Sequence, residues 1–209
     1  MGEASDGLGE SVWSAASREN AFPARPTSPL TASPTNAAEV PHGFPWPIVL
    51  GIDPGTVVVG YGAIVRRPEG PRLLAAGVLR APRSDAIELR LGRIRREVDA
   101  LLQRLKPTVV VLEQAFAAVN VQSAFRIGEG RGVILGAAAC TGAEIVQYAP
   151  AVMKKALVGN GQADKTQVAK CVASELGLAE APKPLDATDA LGLALTYIFK
   201  LRLAEALKT

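Results

Sequence analysis

Four carboxylates in this 209-residue chain stand where they could do chemistry. Asp53 closes the apolar run Val49-Leu50-Gly51-Ile52 and leads straight into Pro54-Gly55-Thr56. Glu113 closes a second run, Val109-Val110-Val111-Leu112. An acid after four apolar strand residues needs a partner, because burying its charge alone is costly. Asp186 and Asp189 lie at i,i+3 near a helix start, so they share one face. If the two apolar runs are neighbouring parallel strands, Asp53 and Glu113 converge at the carboxyl edge of a sheet. If the Asp186/Asp189 face meets that edge, three or four carboxylates crowd together, which is unfavourable without cations. Hard oxygen ligands of this kind select Mg²⁺ or Mn²⁺. Two such ions activate water and stabilise the leaving oxygen in phosphodiester cleavage. Plainer readings stand beside this one: Asp186 as a helix N-cap, Asp189 as a first-turn acid and Asp53 as a turn residue.

The rest of the composition narrows the chemistry. Two cysteines, Cys140 and Cys171, cannot build a disulfide scaffold or a four-ligand zinc site. The single histidine, His42, excludes most His-based metal sites. No apolar run reaches the ~18 residues that a membrane span needs, so a cytoplasmic protein without membrane contact is expected.

The elements that must position these acids follow from the pattern. Residues 48–53, 57–65 and 72–79 read as strands joined by tight turns, an antiparallel meander. A helix follows, with Asp85 as its cap and Glu88 completing a capping box. Its apolar face is Ile87, Leu91, Ile94, Val98, Leu101 and Leu105, and Pro107 ends it. Residues 109–113 read as a buried central strand. Then come a helix over about 121–139, a strand over 144–148 and a helix from Pro150. A further helix is capped by Asp164 and ends at Gly177, and a last one spans about 186–207. The order is that of an α/β protein with a mixed sheet flanked by helices.

Residues 1–47 differ from the rest. They hold seven of the fifteen prolines and show neither helical nor strand period. Two basic residues face five acidic ones there, a net of −3, whereas 48–209 carries 21 basic against 15 acidic, a net of +6. The first segment reads as a disordered Pro/Ala/Ser-rich extension or the product of a misassigned start codon. The second, 48–209, reads as one domain whose charge favours a polyanion.

Six motifs in register resemble one family. Gly51-Ile-Asp-Pro-Gly-Thr and Gly60-Tyr-Gly are similar to the opening of the RuvC family of Holliday-junction endonucleases. Glu113-Gln-Ala-Phe116, the stretch Ser123 to Gly132, and Lys154 to Gly159 continuing through Gly161 to Val168 keep the order, as does Asp186-Ala-Thr-Asp-Ala-Leu. The resemblance covers about 48–199. It implies a ribonuclease H-like fold with a mixed five-stranded sheet, and a homodimer. It also implies Mg²⁺-dependent paired symmetric nicking of four-way junction DNA in homologous recombination and repair. The ends would be 5′-phosphate and 3′-hydroxyl. Asp53, Glu113, Asp186 and Asp189 match the family's catalytic and metal-binding acids, with two Mg²⁺ per subunit expected and Mn²⁺ as a substitute. In some relatives histidine stands at the place of Asp186. Phe116 matches an aromatic that stacks on a base near the junction centre. Lys154 and Lys165 match basic residues facing DNA, with Arg126, Arg131 and Lys155 as helpers. RuvA and RuvB branch-migration proteins are implied as partners. Val57-Val58-Val59 and Val119 depart from the pattern, the first replacing a usually more polar turn, the second standing where a basic residue is frequent.

Three competitors share parts of this pattern. An actin-like ATPase or sugar kinase also opens with Gly-Ile-Asp-x-Gly-Thr but needs two such lobes. A ribonuclease H-like enzyme acting on RNA does not account for the Phe116 motif and the Asp186/Asp189 pair. A binding-only protein would be expected to have lost part of the acidic set, and none of it is lost here.

Overall fold

The computed structural model describes residues 45–114 and 121–208. The extension read over 1–47 lies outside the described residues save for Pro45, Trp46 and Pro47, and Phe116 and Val119 lie outside them too.

Three strands form the expected meander: β1 Ile48–Asp53, β2 Val58–Arg67 and β3 Gly70–Arg80. Helix α1, Ile87–Leu105, leads to β4, Val109–Glu113. Helix α2, Val121–Ala139, leads to β5, Glu144–Tyr148. Helices α3 (Pro150–Val158), α4 (Lys165–Leu176) and α5 (Leu185–Ala206) complete the chain. The sheet order is β3-β2-β1-β4-β5. The pairs β1–β2 and β2–β3 are antiparallel, and β1–β4 and β4–β5 are parallel. The central strands β1 and β4 are buried until their last residue, as continuous apolar runs require when both faces are covered.

Strand alternation splits the core in two. Leu50, Ile52, Val110 and Leu112 face α1 and α2, where Ile94, Val98, Leu105 and Ile134 meet them. Val49, Val109 and Val111 face the other way, onto α3, α4 and α5.

Helix α5 is mostly buried from Ala187 to Ile198, where apolar residues occupy nearly every side. It lies against β1 and β2 at the cross-strand pair Gly51–Gly62 and at Gly60, which pairs with Asp53. A Cβ on Gly51 would strike the main-chain oxygen of Ala190, and one on Gly60 would strike that of Asp186. On Gly62 it would come within 2.5 Å of the Leu191 side chain. The absence of side chains at these three positions sets the height of the helix above the sheet.

One expected cap is corrected. Helix α1 begins after Ala86, which makes no side-chain cap, so Asp85 and Glu88 form no capping box. The Asp85 amide instead donates to the Pro82 carbonyl at 3.2 Å, and that turn starts the helix one residue later than the box requires. At α4 the box is present: Asp164 accepts from the Gln167 amide, and the Gln167 side chain accepts from the Asp164 amide.

Gly51→Ala should therefore cost about 3 kcal/mol, because α5 cannot rise without opening the core. Gly136→Ala is the control. Its added methyl meets nothing within 4 Å, and alanine is the better helix former, so stability should hold or rise slightly. Urea denaturation of the two variants reads the difference.

Candidate active site

The parallel pairing of β1 with β4 aligns Ile52 with Leu112, and Asp53 and Glu113 each follow by one residue. Two buried strands therefore deliver carboxylates side by side at the carboxyl edge. Asp53 pairs with Gly60, and cross-strand partners share a face, here the one that α5 covers. That places Asp186, in the first turn of α5, beside the same edge.

Asp186 is not the helix cap. Pro184 holds the N-cap position and Asp186 lies inside the first turn, where the helix dipole favours a negative charge. The entry to α5 is fixed by Thr188, a buried residue whose hydroxyl donates to the Pro182 carbonyl at 2.6 Å. Asp189, on the next turn, receives the Lys165 ammonium at 3.2 Å. Lys165 is the first residue of α4, so the capping box of that helix fixes where the lysine starts.

The electrostatics follow from the crowding. Burial, then the charges of Glu113, Asp189 and Asp186, push the Asp53 carboxyl up to about 7, with Lys165 opposing. Glu113 is raised by burial and then by Asp189, while Lys165 and Lys154 pull it down. Lys165 is itself raised, chiefly by Asp189. The four acids predicted from the sequence are thus electrostatic neighbours, as are two of the predicted basic residues.

Among the described residues, no three acidic, thiol or imidazole side chains are drawn in closely enough to hold a metal ion. The donor set still fits a hard divalent cation by its chemistry. It consists of carboxylate oxygens, and burial together with their mutual repulsion holds the Asp53 proton in place at a pH where an ordinary aspartate has lost it. A cation would relieve the same repulsion.

The remaining predicted residues are placed as follows. Lys154 is half-buried in α3, and Lys155 and Arg126 are exposed. Phe116 lies outside the described residues. Arg131 of α2 turns inward: its Nε donates to the main-chain oxygen of Glu113 at 3.2 Å, and its terminal nitrogen reaches the Gln147 side chain. Gln147 and Thr188 escaped the sequence reading. Nothing in the chain marks a glutamine whose partner is an arginine on another element. Thr188 sits visibly inside the Asp186-Ala-Thr-Asp motif, but its acceptor, a loop carbonyl, does not show in sequence.

A mixed sheet of this order, with acids at two adjacent parallel strand ends and on a helix laid across them, is a ribonuclease H-like fold. The family model "Crossover junction endodeoxyribonuclease RuvC" matches residues 49–197, and the chain belongs to that family. It is a hydrolase of the crossover junction endodeoxyribonuclease class. The chain is 45% identical over 154 residues to the crossover junction endodeoxyribonuclease RuvC of Chlorobium phaeovibrioides, across 73% of this chain and 82% of that one. The Thermus thermophilus RuvC structure superposes with a TM-score of 0.69 at 36% identity, covering 75% of this chain and 96% of the other. Thermus thermophilus RuvC in complex with Holliday junction substrate gives a TM-score of 0.68 at 34% identity, with the same coverage.

Asp53 also makes a stability prediction. Its folded pKa, about 7, lies above its ordinary 3.8, so the folded state binds the proton more tightly than the unfolded chain. The resulting stability is full below about pH 4 and is lost as pH rises through 7. With divalent cations removed, Asp53→Asn should be more stable than wild type at pH 8 by up to about 4 kcal/mol, and the gap should close by pH 4. Denaturant titrations at the two pH values check it.

Proposed function

We infer that this protein resolves Holliday junctions by paired, symmetric nicks near the crossover, in homologous recombination and DNA repair. One observation carries the reading: carboxylates from β1, β4 and α5, far apart in sequence, lie within electrostatic reach of one another at one sheet edge in a chain of the RuvC family. The family implies a metal-dependent nuclease. Asp53, Glu113 and Asp186 are the residues that would hold Mg²⁺, two ions per subunit, with Mn²⁺ able to substitute. Asp189, which pairs with Lys165, would be a fourth ligand. Bound there, the ions supply an activated water and stabilise the leaving oxygen, giving 5′-phosphate and 3′-hydroxyl ends.

The chain's own side chains do the rest. The acids hold the cleft negative, so backbone phosphate enters it only with cations present. Lys154 and Lys165, which already act on the Glu113 charge, flank the cleft and receive the DNA backbone. Arg126 and Lys155 extend that contact, and Phe116 stacks on a base near the crossover. A two-fold symmetric substrate cut twice calls for a C2 dimer. The first turns of α2 are exposed from Gln122 to Glu129 and include Phe125 and Ile127, which offers an apolar surface for the second copy. The RuvA and RuvB proteins are the partners that family membership suggests. No helix among the described residues is long and apolar enough to cross a membrane, and we place the reaction in the cytoplasm.

The test is cleavage of a synthetic four-way junction against a linear duplex of the same sequences, with Mg²⁺ and with EDTA. Paired Mg²⁺-dependent nicks in the junction alone are expected, and equal cutting of the duplex would overturn the reading. Asp53→Asn and Glu113→Gln should each slow cleavage by about a thousandfold, equivalent to about 4 kcal/mol of barrier, while junction binding persists.

A further inference from the structure

We propose that Gly130-Arg131 of α2 is a clamp that positions both carboxylate-bearing strand ends, and that Arg131 acts on catalysis through it rather than by touching DNA. The proposal rests on the junction-cleaving reading above.

Helix α5 supplies its acids from one face of the sheet, while α2 approaches the same edge from the opposite face. Two consecutive residues of α2 make the contact. At Gly130 the helix comes against the turn that follows Asp53: an added Cβ would lie 2.9 Å from the Gly55 oxygen and 3.0 Å from the Thr56 methyl carbon. Arg131 then reaches the end of β4. Its Nε donates to the Glu113 main-chain oxygen at 3.2 Å, and the other arm of the fork takes the Gln147 side chain on β5. Strands β4 and β5 are already joined there by the Gln114 amide, which donates to the Tyr148 oxygen at 2.8 Å.

The geometry suits a positioning task. A guanidinium fixes two acceptors at once in a planar fork, which an ammonium cannot reproduce. The Glu113 main chain is gripped from behind, so its carboxylate is left free to face α5. The half-buried Arg131 already commits its Nε and one terminal nitrogen to protein acceptors, which ties that edge of the guanidinium to the strand ends. Ligand-supporting groups of this sort are worth about 10- to 100-fold in activity or metal affinity.

Full-length wild type, Arg131→Ala, Arg131→Lys and Gly130→Ala should be compared by three readouts. These are single-turnover junction cleavage at saturating protein, the Mg²⁺ concentration for half-maximal rate, and junction affinity in EDTA with its salt dependence. In Arg131→Ala the cleavage rate should fall about 10- to 100-fold and the Mg²⁺ midpoint should rise, with junction affinity within twofold of wild type and an unchanged salt slope. Lysine should not rescue the loss. Gly130→Ala keeps the arginine but pushes the helix off the Asp53 turn, and it should show the same split. It also keeps the proposal testable if Arg131→Ala does not fold. The proposal is overturned if Arg131→Ala weakens junction binding and lowers the salt slope by about one while cleaving normally at saturation, which is the behaviour of a phosphate contact. It is equally overturned if the foldable variants cleave like wild type. Failure of the wild type itself to cut the junction would count against the proposed function instead.

Discussion

The close approach of one helix backbone to two strand backbones governs everything else in this molecule. Helix α5 lies so near β1 and β2 that Gly51, Gly60 and Gly62 have no room for a methyl group. On its other side, Gly192 admits Met153 and Leu157 of α3. The helix is therefore wedged between sheet and outer helices, with no room for an added atom on the sheet side and tight side-chain contact on the other. The acids of α5 ride at the end of that wedge. Their distance from Asp53 is set by glycine and by core packing, and no hydrogen bond between the acids is needed to hold it.

This arrangement stores electrostatic tension at the sheet edge. Packing supplies the energy that buries Asp53 and keeps like charges beside it, and the cost of both appears as its carboxyl held near 7. Lys165 eases part of it by pairing with Asp189, and Lys154 eases part of it at Glu113. Both lysines lie on helices, α3 and α4, that pack against α5, so the compensating charges belong to the same layer as two of the acids they attend.

Much of this was legible in the sequence. Buried strands announce themselves as apolar runs, and a run that ends in an acid says where the acid goes. That is why Asp53, Glu113 and the parallel pairing behind them could be anticipated. The mutual placement of Gly51 and Gly62 could not, because register is a property of two strands and a turn rather than of either run. Capping was legible at Asp164, though the Gln167 half of its capping box was not. It failed at Asp85, where a turn hydrogen bond to Pro82 delays the helix by a residue. Arg131 shows the other limit. A sequence displays a positive charge and invites a phosphate as its partner, whereas the structure gives it a main-chain oxygen, which every residue has and none advertises.

The acids lie on three elements made at different times. Asp53 and Glu113 leave the ribosome well before Asp186 and Asp189, and the Gly60 surface has no helix against it until α5 has been synthesised. A nascent chain, or a folding intermediate in which α5 has not yet docked, carries half of the acidic set. The acidic set is therefore complete only when α5 is seated, and the glycines that seat that helix tie the assembly of the set to the last step of core packing.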